Sequence, residues 1–160
     1  MAEYATITEV RREAGFENNT DVSDPLDVTP ATNAANARVE AAVARKYILP
    51  LSDSDYYSGS SAEALLKTLA SQIGASILLK SMYEGQGGEL IAAQNERAKG
   101  AKEQLELIGN GTIKLIGTDG SVLTTISANL TAPSGYPKKS DLADSTDDKN
   151  LQTINVNEVF

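Results

Sequence analysis

From Ala62 to Leu79 the chain places Ala62, Leu66, Leu69, Ile73 and Ile77 at three- and four-residue steps, with Leu65, Ala70, Leu78 and Leu79 beside them. An α-helix turns once every 3.6 residues, so this spacing draws a single apolar stripe along one helix. The stripe is wider than one buried face needs, which predicts burial on more than one side. A helix enclosed in that way must be wrapped by other elements, so this segment constrains the fold more than any other. Ser60 or Ser61 supplies its N-cap, and Glu63 lies in the first turn, where the helix dipole favours an acid. Glu63 also precedes Lys67 by four residues, the better orientation for a surface pair.

The surroundings of the central helix are set by the residues left to build a core. Aromatic residues make up only 5% of the chain, with no Trp and two Phe. The interior must therefore be made of Leu, Ile, Val and Ala, which suits closely packed helices better than thick sheets. A chain of 160 residues fits one domain and buries an adequate core without cross-links. There is no Cys, hence no disulfide framework and no thiol chemistry.

Three further helices are expected. A short one runs from about Thr8 to Ala14, with Thr8 as N-cap and Gly15 as its stop. Glu17 to Pro30 is rich in Asn, Asp, Ser and Thr with two prolines, a loop composition. Pro30 then opens a helix from about Thr32 to Tyr47, whose inner face is Val39, Ala42, Val43 and Tyr47. Pro50 ends it, because the residue before a proline is pushed out of the helical region. After Gly85, Gly87 and Gly88 a last helix spans roughly Glu89 to Ile108, with Ile91, Gln94, Ala98, Ala101, Leu105 and Ile108 on one narrow face. The small residues amid that face allow a neighbouring helix to come close.

Beyond Gly111 the period changes. Thr112 to Ile116 and Val122 to Ile126 alternate around Asp119-Gly120, a tight-turn dipeptide, which predicts a β-hairpin. A lone hairpin is barely stable in water, so it should pack on the helices or pair with another chain. After Pro133 the composition turns to Ser, Asp, Lys and Asn and predicts a flexible arm. The arm regains apolar character at Ile154, Val156, Val159 and Phe160, as a docking segment would. The expectation is thus a mainly α protein: a four-helix bundle with a small β-hairpin at about 112–126 and an extended C-terminal arm. The helical domain takes residues 1–132 and the arm 133–160.

The net charge is −8 and the pI about 4.5. The first thirty residues hold seven acids against Arg11 and Arg12 alone, whereas signs nearly balance from Pro30 to Gly111. Gripping a phosphate backbone takes clustered Lys and Arg, and that footprint is missing. Lys138 and Lys139 neutralise too little to change this. Charges at Glu3, Glu9, Arg11, Arg12, Glu13 and Glu17 argue against a signal peptide. The apolar run Ile77 to Leu79 is too short to span a bilayer, so no membrane partner is expected and a cytoplasmic origin is.

Catalysis is expected to be absent. With neither His nor Cys, the commonest general base and the commonest thiol nucleophile are both missing. No Gly-x-Ser-x-Gly turn and no Ser-x-x-Lys at a helix start occurs, and the acids fall in loops and on solvated faces. Asp53 and Asp55 form a fragment of a calcium loop, but its sixth and twelfth positions are Ser58 and Ala64 rather than Gly and Glu. That fragment reads as a polar turn, with no metal. Gly85, Gly87 and Gly88 precede a helix, yet no strand leads in and no Lys follows, so they read as a helix–helix turn and not a phosphate cradle. No catalytic, cofactor-binding or metal-ligating residue is assigned.

A narrower expectation comes from resemblance. The segment Arg45-Lys46-Tyr47-Ile48-Leu49-Pro50-Leu51 brings a helix into a Tyr-x-Leu-Pro-Leu turn. Tyr4-Ala5-Thr6 stands before a short helix, and Leu105, Ile108, Gly111, Ile113 and Leu115 follow a last helix that carries Arg97. In this order the motifs resemble the head–tail adaptor (connector) proteins of tailed bacteriophages, nearest the Mu-like family of small neck proteins. The likeness runs from about Tyr4 to Leu115 and omits the Asn18 to Pro30 loop. The family often has Arg-Tyr in the last helix, where this chain has Arg97-Ala98.

The resemblance implies a virion structural protein made in the host cytoplasm and located in the neck. Its partners would be further copies of itself in a dodecameric ring, the portal protein above, and the next neck or tail protein below. DNA would pass through the ring without sequence-specific binding, and an acidic wall suits that passage. Tyr47, Pro50 and Leu51 would fix the turn between helices, the hairpin would contact a neighbouring subunit, and Ile154, Val156, Val159 and Phe160 would tip the docking arm. The competing expectation is a cytoplasmic helical module that binds one partner and forms no ring.

Overall fold

The computed structural model describes residues 3–51, 56–83 and 88–126. These residues form four α-helices: α1 Ile7–Glu13, α2 Thr29–Val43, α3 Ser61–Met82 and α4 Glu89–Gly109. A π-helical turn, Asp24–Val28, leads into α2. The described residues are mainly helical and contain no strand. The expected arm, including Ile154, Val156, Val159 and Phe160, lies outside the described residues, as do Asp53, Asp55, Gly85 and Gly87.

The wide apolar stripe acts as its width predicts, because α3 packs against α1, α2 and α4. Leu66, Leu69, Ile73 and Leu78 are buried along it, while Leu65 and Ile77 sit at its margin. Ser60 caps it by accepting a hydrogen bond from the Glu63 amide at 3.1 Å. The three-helix crossing is possible because position 74 is glycine: a Cβ there would stand 2.8 Å from Val10 Cγ2 and 3.5 Å from Ala35 Cβ. With 22 residues and an 18-residue window of mean hydropathy 1.2, α3 is long and apolar enough to cross a membrane by length and composition, contrary to the expectation from continuous apolar runs. Its apolar residues are nevertheless covered by the other helices, as a core helix requires.

Helix α1 begins one turn-position earlier than expected, and its N-cap is Thr6, not Thr8. The Thr6 hydroxyl accepts from the Glu9 amide at 3.3 Å, and the Glu9 carboxylate accepts from the Thr6 amide at 2.9 Å. This reciprocal pair is a capping box. Glu9 also pairs with Lys67 of α3. Burial raises the Glu9 carboxyl, but Lys67 and the Thr6 amide and hydroxyl outweigh it and hold the carboxyl below its usual range. Just before the cap, the Ala5 amide donates to Asn36 Oδ1 at 2.9 Å and Asn36 Nδ2 donates to the Ala5 carbonyl at 3.0 Å. The buried Asn36 side chain thereby pairs with a backbone unit in the way another backbone unit would.

The Glu17 to Pro30 loop is shorter than expected, since its last part is helical. Asp27 accepts from the Ser23 amide at 2.9 Å, Pro25 fits the first turn, and Val28 is buried beneath. Arg11 holds the rest, donating to the carbonyls of Phe16 and Asn19 and pairing with Asp24 at 2.6 Å. At its other end α2 stops at Val43 and does not continue to Tyr47. The Arg45 and Lys46 amides reach back only three residues, to Ala42 and Val43, which tightens the chain out of the α-helix.

The β-hairpin expected over 112–126 is not formed as paired strands. The turn at Asp119-Gly120 is present: Gly120 has φ +78°, and Asp119 accepts from the Ser121 amide and hydroxyl, which hold its carboxyl below the usual range. Gly117 donates to Ser121 and Leu123 to Leu115, both at 2.9 Å, leaving one bridge between Ile116 and Val122. The ladder goes no further because the Leu115 amide, which would return the bond to Leu123, donates to the Tyr47 hydroxyl at 2.9 Å. The second leg pairs away from the first, bridging Tyr47 through Thr125.

Candidate assembly surface

Two places gather the residues singled out in the sequence and most of the exposed large apolar side chains of the described residues. The first is the turn after α2. Tyr47 is buried, and its ring lies in the same core as Leu51, Leu105, Ile108 and Leu115. Its hydroxyl accepts the Leu115 amide, so one side chain ties the turn to the segment after α4. The Ile48 amide donates to the Thr124 carbonyl at 3.2 Å, and the Ile126 amide donates to the Lys46 carbonyl at 2.9 Å. Pro50 follows a cis peptide bond and is exposed, and Leu51 is buried. Tyr47 and Leu51 therefore both lie in the core, and Pro50 lies at the surface.

Around this tie the chain leaves an apolar rim. Val122 and Ile126 alternate with the buried Leu123, so they share the outward side of their segment, and Ile48 is exposed opposite Thr124. The C-terminal ends of α2 and α4 lie beneath. Gly109 lets them approach, because a Cβ there would stand 3.0 Å from the Ala42 carbonyl oxygen, and Arg45 reaches Glu106 at 3.4 Å.

The second place is at the opposite end of α4. The end of α1, the end of α3 and the first turns of α4 enclose a groove of about 680 Å³. Phe16 and Tyr83 stack on its floor with ring centroids 6.3 Å apart. Leu90 stands at its edge, 83% exposed, and Ile91 is half-buried. Arg97 and Glu13 pair at 3.2 Å on the rim, and the buried Gln94 donates to the same Glu13 oxygen at 3.4 Å. The groove was not legible in the sequence, because Phe16, Tyr83 and Leu90 come from three segments that only tertiary packing unites. The one available signal was Leu90 itself, which falls off the narrow inner face of α4.

The phenols most perturbed by burial lie elsewhere, in the N-terminal layer. Tyr4 is pushed up to about 12 by burial and then by Glu40, and Tyr57 is raised by burial, Tyr4 and Glu63. Both stay neutral, and the Tyr4 hydroxyl has no hydrogen-bond partner among the described residues. Among the described residues, no three acids gather closely enough to hold a cation. Compared with known protein families, curated proteins and solved structures, the chain matches none.

Proposed function

We propose that this chain is a structural head–tail adaptor of a tailed bacteriophage and has no enzymatic activity. Copies of it form a dodecameric ring under the portal, extend the DNA channel, and offer a surface to the next neck or tail protein. The protein is made in the host cytoplasm and ends in the neck of the virion. In this reading the helices form a bundle, and Tyr47, Pro50 and Leu51 fix the turn between helices.

One observation supports the reading above the rest. Two of the motifs that carry the resemblance are distant in sequence, yet Tyr47 of one accepts a hydrogen bond from the Leu115 amide of the other. Leu51, Leu105, Ile108 and Leu115 share one core with it, and Gly111 between them has φ +81°. The apolar rim of Ile48, Val122 and Ile126 borders that junction and is a natural face for a neighbouring subunit. Contacts of this heterologous kind close into rings when the rotation between copies permits.

A second reading, a helical module that binds one partner without a ring, is favoured by the groove beside Leu90, which needs no second subunit to form. The solution mass of the purified protein, alone and mixed with the portal, separates the two. A closed ring in either sample supports the adaptor. A monomer that ignores the portal removes it and leaves the module.

A further inference from the structure

We propose that the groove between α1, α3 and the start of α4 receives Leu26 of a second copy of this chain. The inference deepens the assembly reading by naming one contact between copies, and it rests on that reading only in requiring that copies meet.

The two surfaces are the most open apolar points of the described residues. Leu90 at the groove is 83% exposed and Leu26 is 78% exposed, while every other large apolar side chain described is less than half exposed. Single exposed leucines are ordinary, but neither of these stands alone. Leu90 borders the stacked rings of Phe16 and Tyr83. Leu26 follows the exposed Pro25, and one turn further on Pro30 is exposed as well.

The Leu26 surface has the build of an insert. Pro25 fixes its backbone, Asp27 accepts from the Ser23 amide at 2.9 Å, Arg11 holds Asp24 at 2.6 Å, and Val28 is buried beneath. A side chain presented on a turn so fixed loses little freedom on docking. The groove, at about 680 Å³, falls within the roughly 300–1,000 Å³ of ligand pockets and has an aromatic and aliphatic floor.

Charge selects the match. No Lys or Arg lies between Arg12 and Arg38, and the turn carries Asp24 and Asp27 with the exposed Asp21 just ahead. The groove's rim carries two guanidiniums, Arg12 and Arg97, in exposed pairs with Glu17 at 3.4 Å and Glu13 at 3.2 Å. Such pairs contribute little, so either guanidinium can turn to an acid arriving with Leu26. Of the acids at the groove itself, Glu13 also accepts from Gln94 at 3.4 Å, and Glu89 lies in the first turn of α4, where the helix dipole favours it. Complementary charge of this kind fixes orientation more than affinity.

Groove and insert do not meet within one chain. The turn Asp24–Val28 packs on α1, α2 and α3 and not on α4, and Leu26 stays open. One copy can therefore give Leu26 to a neighbour while it receives Leu26 from another. That is a heterologous contact, which repeats into a closed ring or an open chain according to the rotation between copies.

The absence of Cys makes a direct test available. Pro30→Cys is placed in one full-length chain and Ala93→Cys, exposed in the groove, in another. The two are mixed in equal amounts in a glutathione redox buffer, and the disulfide dimers are told apart by mass. Random collision yields the mixed dimer as fast as the two like dimers together. Seating of Leu26 raises the local thiol concentration, so the mixed dimer should form at least about tenfold faster than that. Leu26→Ser in the Pro30→Cys chain, a change at an exposed position that leaves the fold intact, should bring the rate back to random. A random rate from the start, or a fast rate that survives Leu26→Ser, overturns the proposal. Either of those results leaves a ring built on the rim of Ile48, Val122 and Ile126 standing. A fast mixed dimer with no ring on the portal would remove the adaptor reading and keep this contact.

Discussion

In its last three turns α4 buries Ala98, Ala101, Leu105 and Ile108 in the core, and Gly109 brings its backbone against the Ala42 carbonyl. In its first turn the same helix leaves Leu90 almost wholly exposed, with Ile91 only half covered and Gly88 supplying no side-chain cap. One element is thus anchored at one end and unfinished at the other. The anchored end owes its order to side chains that nothing else can replace. The open end is held in place by the rest of the helix and not by packing of its own apolar side chains. The difference teaches that exposure along α4 does not follow hydrophobicity: Leu90 and Leu105 are the same residue with opposite duties.

That contrast can be broken from the anchored end first. Ile108→Ala removes a fully buried side chain where α4 meets the Tyr47 turn, and should cost about 2–5 kcal/mol in chemical denaturation. Tyr47→Phe keeps the ring and leaves the buried Leu115 amide without an acceptor, so a loss of about 1–3 kcal/mol is expected. A loss below that would mean the Leu115 amide finds its ladder partner on Leu123 instead, and amide exchange at Leu115 would report it.

Away from α4, Glu9→Gln tests the cap of α1. Because the folded carboxyl lies below its unfolded value, the ionised form stabilises the protein above about pH 4.3 and that contribution is lost as pH falls through the folded pKa. The variant should be less stable than the parent by under about 1 kcal/mol at pH 7, with the gap closing in acid. Parallel denaturation curves at pH 7 and in acid check this; a gap that persists in acid would assign the effect to packing. Smallest of all, Leu90→Ser at the open end should change stability by no more than about 0.5 kcal/mol. A larger loss would show that Leu90 belongs to the core and would erase the comparison.

The helices were legible where periodicity and caps agreed. The stripe from Ala62 to Leu79 with Ser60 and Glu63 marks α3, and the inner face of α4 is read almost residue for residue, with only Ile91 less covered than expected. Other signals were present and outweighed. Thr6 and Glu9 carry the capping-box spacing, but Thr8 stands closer to the helical run and drew the boundary inward. The π-helical turn at Asp24–Val28 hides behind a loop-like composition, because its order comes from Asp27 bonding Ser23 and from Val28 packing on neighbours distant in sequence. The end of α2 and the missing strands share one cause. Tyr47 leaves the helix to accept the Leu115 amide, and no local pattern records a bond between residues so far apart.

The pairing of Asn36 with both polar groups of Ala5 has a consequence for kinetics. The residues ahead of α1 are secured by a side chain of α2, 31 positions further along the chain. The contact closes a loop of 31 positions, an entropy cost that the local cap between Thr6 and Glu9 does not carry. The same bonds guard the native protein under proteolysis. A protease reaching the backbone near Ala5 gains access only through openings that break the two bonds to Asn36, so Asn36→Ala should speed cleavage there.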